Sequence, residues 1–177
     1  MKKLLLTFLF LFLSGLSWIY AQERGSNHFD FGLTCMVAVS DDRVSPGPGL
    51  AVNWHNTKLF GPLGIGAYVN LVVPFVEGYS ETNMGFAASL LAGPSYMIYD
   101  NGVIALPVTA GIHFDYVNNL SSNRNKTAIN LGIGADIDIV WRFGRKWHGY
   151  GRVLAAYNFG AGGEFLMFPG IGVGFSF

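Results

Sequence analysis

The sequence predicts an all-β fold, an eight-stranded antiparallel up-and-down transmembrane β-barrel, and three observations carry that prediction. The first is composition: of 177 residues 12% are charged and 51% hydrophobic, whereas a soluble domain carries about a quarter charged residues. The surface must be apolar. The second is 24 Gly together with 15 Phe, 8 Tyr and 4 Trp. Glycine costs about 1 kcal/mol in a helix interior and aromatics favour strands, which excludes a helical bundle. The third is a two-residue alternation of bulky apolar with small or polar residues through eight successive segments.

The N-terminus reads as a targeting segment. Lys2 and Lys3 precede an apolar stretch over 4–13 broken only by Thr7, and Ile19-Tyr20-Ala21 fits a cleavage site. The expected organisation is therefore a signal peptide over 1–21 and one barrel domain over 22–177. The apolar stretch is shorter than the about 20 residues of a membrane-spanning helix, so none is expected. Lys plus Arg equals Asp plus Glu at 11 each, which leaves no basic face for nucleic acid and no acidic tail. The single cysteine, Cys35, excludes an internal disulfide framework.

The first strand alternates Phe29, Phe31, Leu33, Cys35 and Val37 with Asp30, Gly32, Thr34 and Met36. After a Pro/Gly-containing loop over 40–49, Leu50, Val52 and Trp54 oppose Ala51, Asn53 and His55. Beyond the turn Phe60-Gly61-Pro62, Ile65, Ala67, Val69 and Leu71 face away from Gly64, Gly66, Tyr68 and Asn70. A loop over 74–83 leads to strand four, with Phe86, Ala88, Leu90 and Ala92 on its apolar side. Asp100-Asn101-Gly102 signals a tight hairpin. Strand five then sets Val108, Ala110, Ile112, Phe114 and Tyr116 against Thr109, Gly111, His113 and Asp115. Past the polar loop over 118–126, strand six is the longest alternation, Ile129 to Trp141 opposite Asn130 to Arg142. The turn over 144–148 opens strand seven, with Arg152 on the polar side, and strand eight ends in Phe175 and Phe177. Pro94, Pro107 and Pro169 lie where the strands would extend, and proline cannot donate a ladder hydrogen bond, so the sequence leaves the strand limits there open by a few residues.

The faces differ in kind. Asp30, Asp115, Asp136, Asp138, Arg142 and Arg152 all fall opposite the apolar stripe. An eight-stranded interior has little volume, so the aromatic-rich face cannot be the inside. It must meet lipid, and the Gly- and Ala-rich charged face must line the lumen. Aromatics near both strand ends supply two interfacial girdles.

On these residues the chain resembles the small eight-stranded outer-membrane barrels of the OmpA/OmpX/OmpW type. The resemblance covers the whole of 22–177, and its most specific feature is the terminal GIGVGFSF over 170–177. It implies a bacterial outer-membrane, porin-like membrane protein surrounded by outer-membrane lipid and monomeric. It also implies that Phe175 and Phe177 form the signal read by the barrel assembly machinery, with periplasmic chaperones as further partners during biogenesis.

Candidate chemistry is confined to the lumen. The expected polar network comprises Asp136, Asp138, Arg142, Arg152, His113 and Asp115, with Arg152 opposite Val140 and diagonal to Asp138. Its functional reading is a gate; its plainer reading is a buried ion-pair network that fills the barrel. His55 and the pair His113 and Asp115 invite a metal site, but so few ligands fall short of a zinc shell, and no metal is expected. No serine nucleophile stands beside a histidine in sequence, so catalytic residues are expected to be none. Gly132-Ile133-Gly134 and the run over 160–163 do not follow phosphate-loop spacing, and no cofactor is expected. The expected function is a non-enzymatic outer-membrane barrel, structural or a narrow route for small solutes, apolar ones included, with the inward glycines read as room for passage. The alternatives are a surface interaction or adhesion protein using its outward loops and, more remotely, a lipid-modifying enzyme.

Overall fold

The computed structural model describes residues 27–38, 44–45, 47–60, 62–73, 75–77, 82–119, 126–143, 146–159 and 164–177. The expected signal peptide and much of the three polar loops lie outside the described residues. Eight strands build the barrel: β1 (Asn27–Ala38), β2 (Gly47–Phe60), β3 (Leu63–Val72), β4 (Thr82–Asp100), β5 (Ile104–Asn119), β6 (Lys126–Arg142), β7 (Trp147–Asn158) and β8 (Glu164–Ser176). Each pairs antiparallel with its sequence neighbour. The pairing of β1 with β8, from His28↔Ser176 to Ala38↔Leu166, closes the circle. Closure satisfies the backbone without an open edge, which is what hydrocarbon demands of a sheet.

The alternation sorts as the sequence predicts. Phe31, Leu33, Ile112, Leu131, Ile133 and Ile171 are exposed on the outer face, while Asp30, His113 and Asp136, of opposite parity on the same strands, are buried in the lumen. Rings meet around the outer face at the end where β1 begins and β8 finishes. Phe175 lies 5.9 Å from Phe29, 6.1 Å from Trp147 and 5.5 Å from Phe177, centroid to centroid. Tyr157 and Phe159 pair at 6.0 Å at the opposite end. Trp141 lies over Gly149, where any Cβ would collide with the indole. A large aromatic thus covers the backbone that a glycine leaves bare.

Short turns gather at one end, called here the turn end. Asp100 Oδ1 accepts from Gly102 N at 2.8 Å and Asn101 Oδ1 from Ile104 N at 2.7 Å. Gly102 takes φ +84°, the left-handed region that glycine enters without cost.

The strand limits that the sequence leaves open at Pro94, Pro107 and Pro169 lie beyond these prolines; β4, β5 and β8 run through them. The missing N–H opens a local gap instead: pairing skips from Thr34↔Gly170 to Val37↔Met167 around Pro169, and from Ala105↔Val140 to Val108↔Ile137 around Pro107. The neighbouring rungs carry the strand across. The expected loops also contain strand, because Phe75–Glu77 pairs with Val44–Ser45 and with Thr82–Met84 of β4. That small ladder extends the sheet beyond the barrel at the loop end.

Candidate functional site

Among the described residues, charged side chains converge in the lumen, and the lumen is layered. Nearest the loop end lies an apolar plug of Met36, Val72, Leu91, Leu154, Leu166 and Phe168, all fully or almost fully buried. His113 and Asp115 flank it and are tied through one amide: His113 Nδ1 donates to Asn158 Oδ1 at 3.0 Å, and Asn158 Nδ2 reaches Asp115 Oδ2 at 3.5 Å. Asn130 Nδ2 donates to the same carboxylate oxygen at 3.3 Å. His113 also stands 6.1 Å from the Phe168 ring, centroid to centroid. These two expected site residues are therefore brought together, as a hydrogen-bonded support for the plug.

Arg152 crosses the middle of the lumen, 4% exposed. The register sets it directly opposite Asp138, with Tyr150 opposite Val140, so the expected pairing of Arg152 with Val140 is two residues out. Its guanidinium does not grip a carboxylate. It donates to Asn53 on β2 and Asn70 on β3, with its Cζ 5.6 Å from the Tyr68 ring centroid. Asn70 Nδ2 continues to Ser89 Oγ at 3.1 Å, and the Tyr68 hydroxyl bonds Thr109 Oγ1 at 2.8 Å. Asp136 and Asp138 are buried beside this cation, feel its charge, and hold oxygens without a hydrogen-bond donor among the described residues. Arg152 thus offsets part of the carboxylate charge through space while two amides fix its position, and close charge at low dielectric is strong without direct contact.

Arg142 does not belong to this layer. Its guanidinium makes a bidentate pair with Asp100 across the turn end, Nη1 to Oδ1 at 2.6 Å and Nη2 to Oδ2 at 3.1 Å. The two side chains keep 22% and 31% of their surface, an exposure at which such a pair contributes little to stability. The last lumen-facing position of β6 has already left the barrel interior.

The inward glycines do not leave an open bore. A Cβ on Gly32 or Gly172 would collide with Tyr150, one on Gly66 with Tyr68 and Thr109, and one on Gly132 with the Tyr157 carbonyl. Their missing side chains are the space that the tyrosines occupy, together with close backbone approach. The reading of these glycines as room for passage is corrected accordingly.

Sequence reading missed one cluster altogether. At the turn end, Asp30, His28 and His55 meet His148 and Ser176 from the far end of the chain. The signal was available in parity, since position 28 shares a face with 30 and position 148 with 150 and 152. What joins them is the β1 to β8 seam. Phe175 and Phe177, the expected assembly signal, lie on the outer face at this same end, with Phe177 N bonded to Asn27 O at 2.9 Å.

No family model and no curated protein matches the chain. Solved structures do. Neisserial surface protein A (NspA) superposes with a TM-score of 0.70 at 9% identity, covering 88% of this chain and 100% of that one. Ail, the attachment invasion locus protein of Yersinia pestis, gives 0.62 at 12% identity with 88% and 100% covered. A major outer membrane protein from Thermus thermophilus gives 0.59 at 13%, covering 86% and 100%. At these identities the likeness is one of fold: this chain has the fold of the small eight-stranded outer-membrane barrels.

Proposed function

With that fold as premise, we propose that the chain is a non-enzymatic protein of the bacterial outer membrane whose barrel is closed to solutes and serves a structural role. The observation that carries this reading is the filled lumen. Tyr68, Tyr150, Leu154 and Phe168 are fully buried, and Arg152 is held across the middle by amides from two other strands. An eight-stranded interior is just wide enough for side chains to fill. A route for solutes would require the apolar plug and the Arg152 layer to part together.

The test is planar-bilayer conductance of the refolded mature protein, paired with swelling of liposomes in uncharged solutes. Neither steady conductance steps nor swelling is expected. Either result would reinstate a narrow route.

One observation supports a second reading, a surface interaction protein: the ladder of Val44–Ser45, Phe75–Glu77 and Thr82–Met84 builds a sheet beyond the barrel at the loop end. The similar Ail barrel carries attachment in its name and was crystallised with the heparin analogue sucrose octasulfate. Binding of cells displaying this barrel to immobilised sulfated glycan, compared with cells lacking it, distinguishes the two roles.

A further inference from the structure

Asn101-Gly102 is the chain's single Asn-Gly pair, and it forms the exposed tip of the β4 to β5 hairpin. Side-chain hydrogen bonds there fall on both partners of one reaction. Gly102 N donates to Asp100 Oδ1 at 2.8 Å, while Asn101 Oδ1 accepts from Val103 N at 3.0 Å and from Ile104 N at 2.7 Å. A nitrogen with a carboxylate at its N–H thus follows directly on an amide carbonyl held by two backbone donors. The hairpin is also closed through its backbone, where Asn101 N donates to Ile104 O at 3.1 Å.

We propose that Asn101 is a self-modification site, at which the hairpin converts its own side-chain amide to a succinimide and then to aspartate or isoaspartate. Gly102 N attacks Asn101 Cγ and closes a five-membered ring. The proton on that nitrogen passes to Asp100, placed as general base. Negative charge develops on Asn101 Oδ1, where Val103 N–H and Ile104 N–H already point. The bond from Cγ to Nδ2 then breaks, and the side-chain nitrogen takes the proton from Asp100 and leaves as ammonia. Water opens the ring. Opening at Cγ yields aspartate in an ordinary chain, and opening at the Asn101 backbone carbonyl yields isoaspartate, with the chain running through Cβ and Cγ. No oxidant, metal or cofactor is consumed.

The surroundings fit this chemistry. Glycine presents no side chain beside the attacking nitrogen, and no heavy atom outside its chain neighbours lies within 4 Å of where a Gly102 Cβ would stand. The tip is open to the water that hydrolysis needs. Arg142 grips Asp100 through both oxygens, a pair too exposed to add much stability that nonetheless sets the direction of the carboxylate. Holding base, nucleophile and carbonyl in one turn removes part of the entropy cost of bringing them together. The buried amides of Asn53, Asn70 and Asn158 precede Trp54, Leu71 and Phe159, and have neither an unhindered nitrogen next in the chain nor access to water.

The experiment incubates the refolded barrel in warm neutral buffer and follows Asn101 by peptide mass mapping, with enzymatic methylation to count isoaspartate. Conversion at Asn101 is expected, while Asn53, Asn70 and Asn158 remain amides. Asp100→Ser keeps an oxygen for Gly102 N but removes the base, and should slow conversion by about tenfold or more. Heat-shifted migration on gels checks that each protein is folded. Should the variant fail to fold, wild type alone decides: the folded barrel should convert faster than the same chain held unfolded in urea, where the base and the two donors are no longer in place. An amide that persists in the folded wild type, a rate indifferent to Asp100→Ser, or faster conversion in urea overturns the site.

Discussion

Replacing Arg152 with Met is expected to destabilise the barrel by about 3–5 kcal/mol, because it leaves buried carboxylates without their cation. The measurement is the shift in urea midpoint for the protein folded in phospholipid vesicles. Asp138 stands directly opposite on β6, and Asp136 lies on the same face, buried like it. Asn53 and Asn70 lose their shared partner as well. Adding Asp138→Asn to Arg152→Met should recover much of the loss by removing one stranded charge. In a closed structural barrel the double variant stays impermeable in liposome swelling; in a gated one it is stable and leaky. An unchanged midpoint in the single variant would mean that Arg152 is hydrated and that the lumen is wetter than its burial indicates.

Ile133→Arg is expected to impair folding into bilayers by about 2–4 kcal/mol, the cost of arginine near the bilayer midplane on a barrel's lipid face. Ile133 is 57% exposed on the outer surface at the middle of β6. The matched control is Gly134→Ala next to it. A Cβ at Gly134 meets the Leu91 side chain at 3.1 Å and Ala156 Cβ at 3.4 Å, contacts that small movements of lumen side chains relieve. Gly132 cannot serve as the control, since a side chain there drives into the Tyr157 carbonyl. Folding yield into vesicles should fall for Ile133→Arg and hold for Gly134→Ala. Equal losses would mean that inside and outside have been exchanged.

The inward and outward assignment of these residues was legible because it depends only on local parity. Ile133 and Asp136 differ by an odd number of positions, and one apolar face fixes which way each must point. The hairpin at Asp100-Asn101-Gly102 was legible for the same local reason, its side chains bonding their own turn. Cross-strand register was not. The pairing Arg142↔His148 sets the register of β6 against β7, and the length of the connection moves Arg152 by two positions relative to β6. Parity survives a two-residue slip, so the network kept its face while its partners changed. The histidine cluster was beyond reach for a deeper reason. His148 and Asp30 are 118 positions apart, and only closure of β1 on β8 brings them together. The glycines illustrate the converse limit, because an absent side chain in sequence reads as space until Tyr68 and Tyr150 are seen to occupy it.

The central claim is that this sequence closes into a barrel with its apolar face in lipid. Migration of the mature chain from isolated outer membranes on gels, with and without boiling, tests it most directly. A closed ladder that satisfies its backbone within itself resists detergent until heated. The unboiled protein should therefore run as a compact band, shift on boiling and partition with the outer membrane. Recovery in the soluble periplasmic fraction, with one mobility before and after boiling, would contradict it.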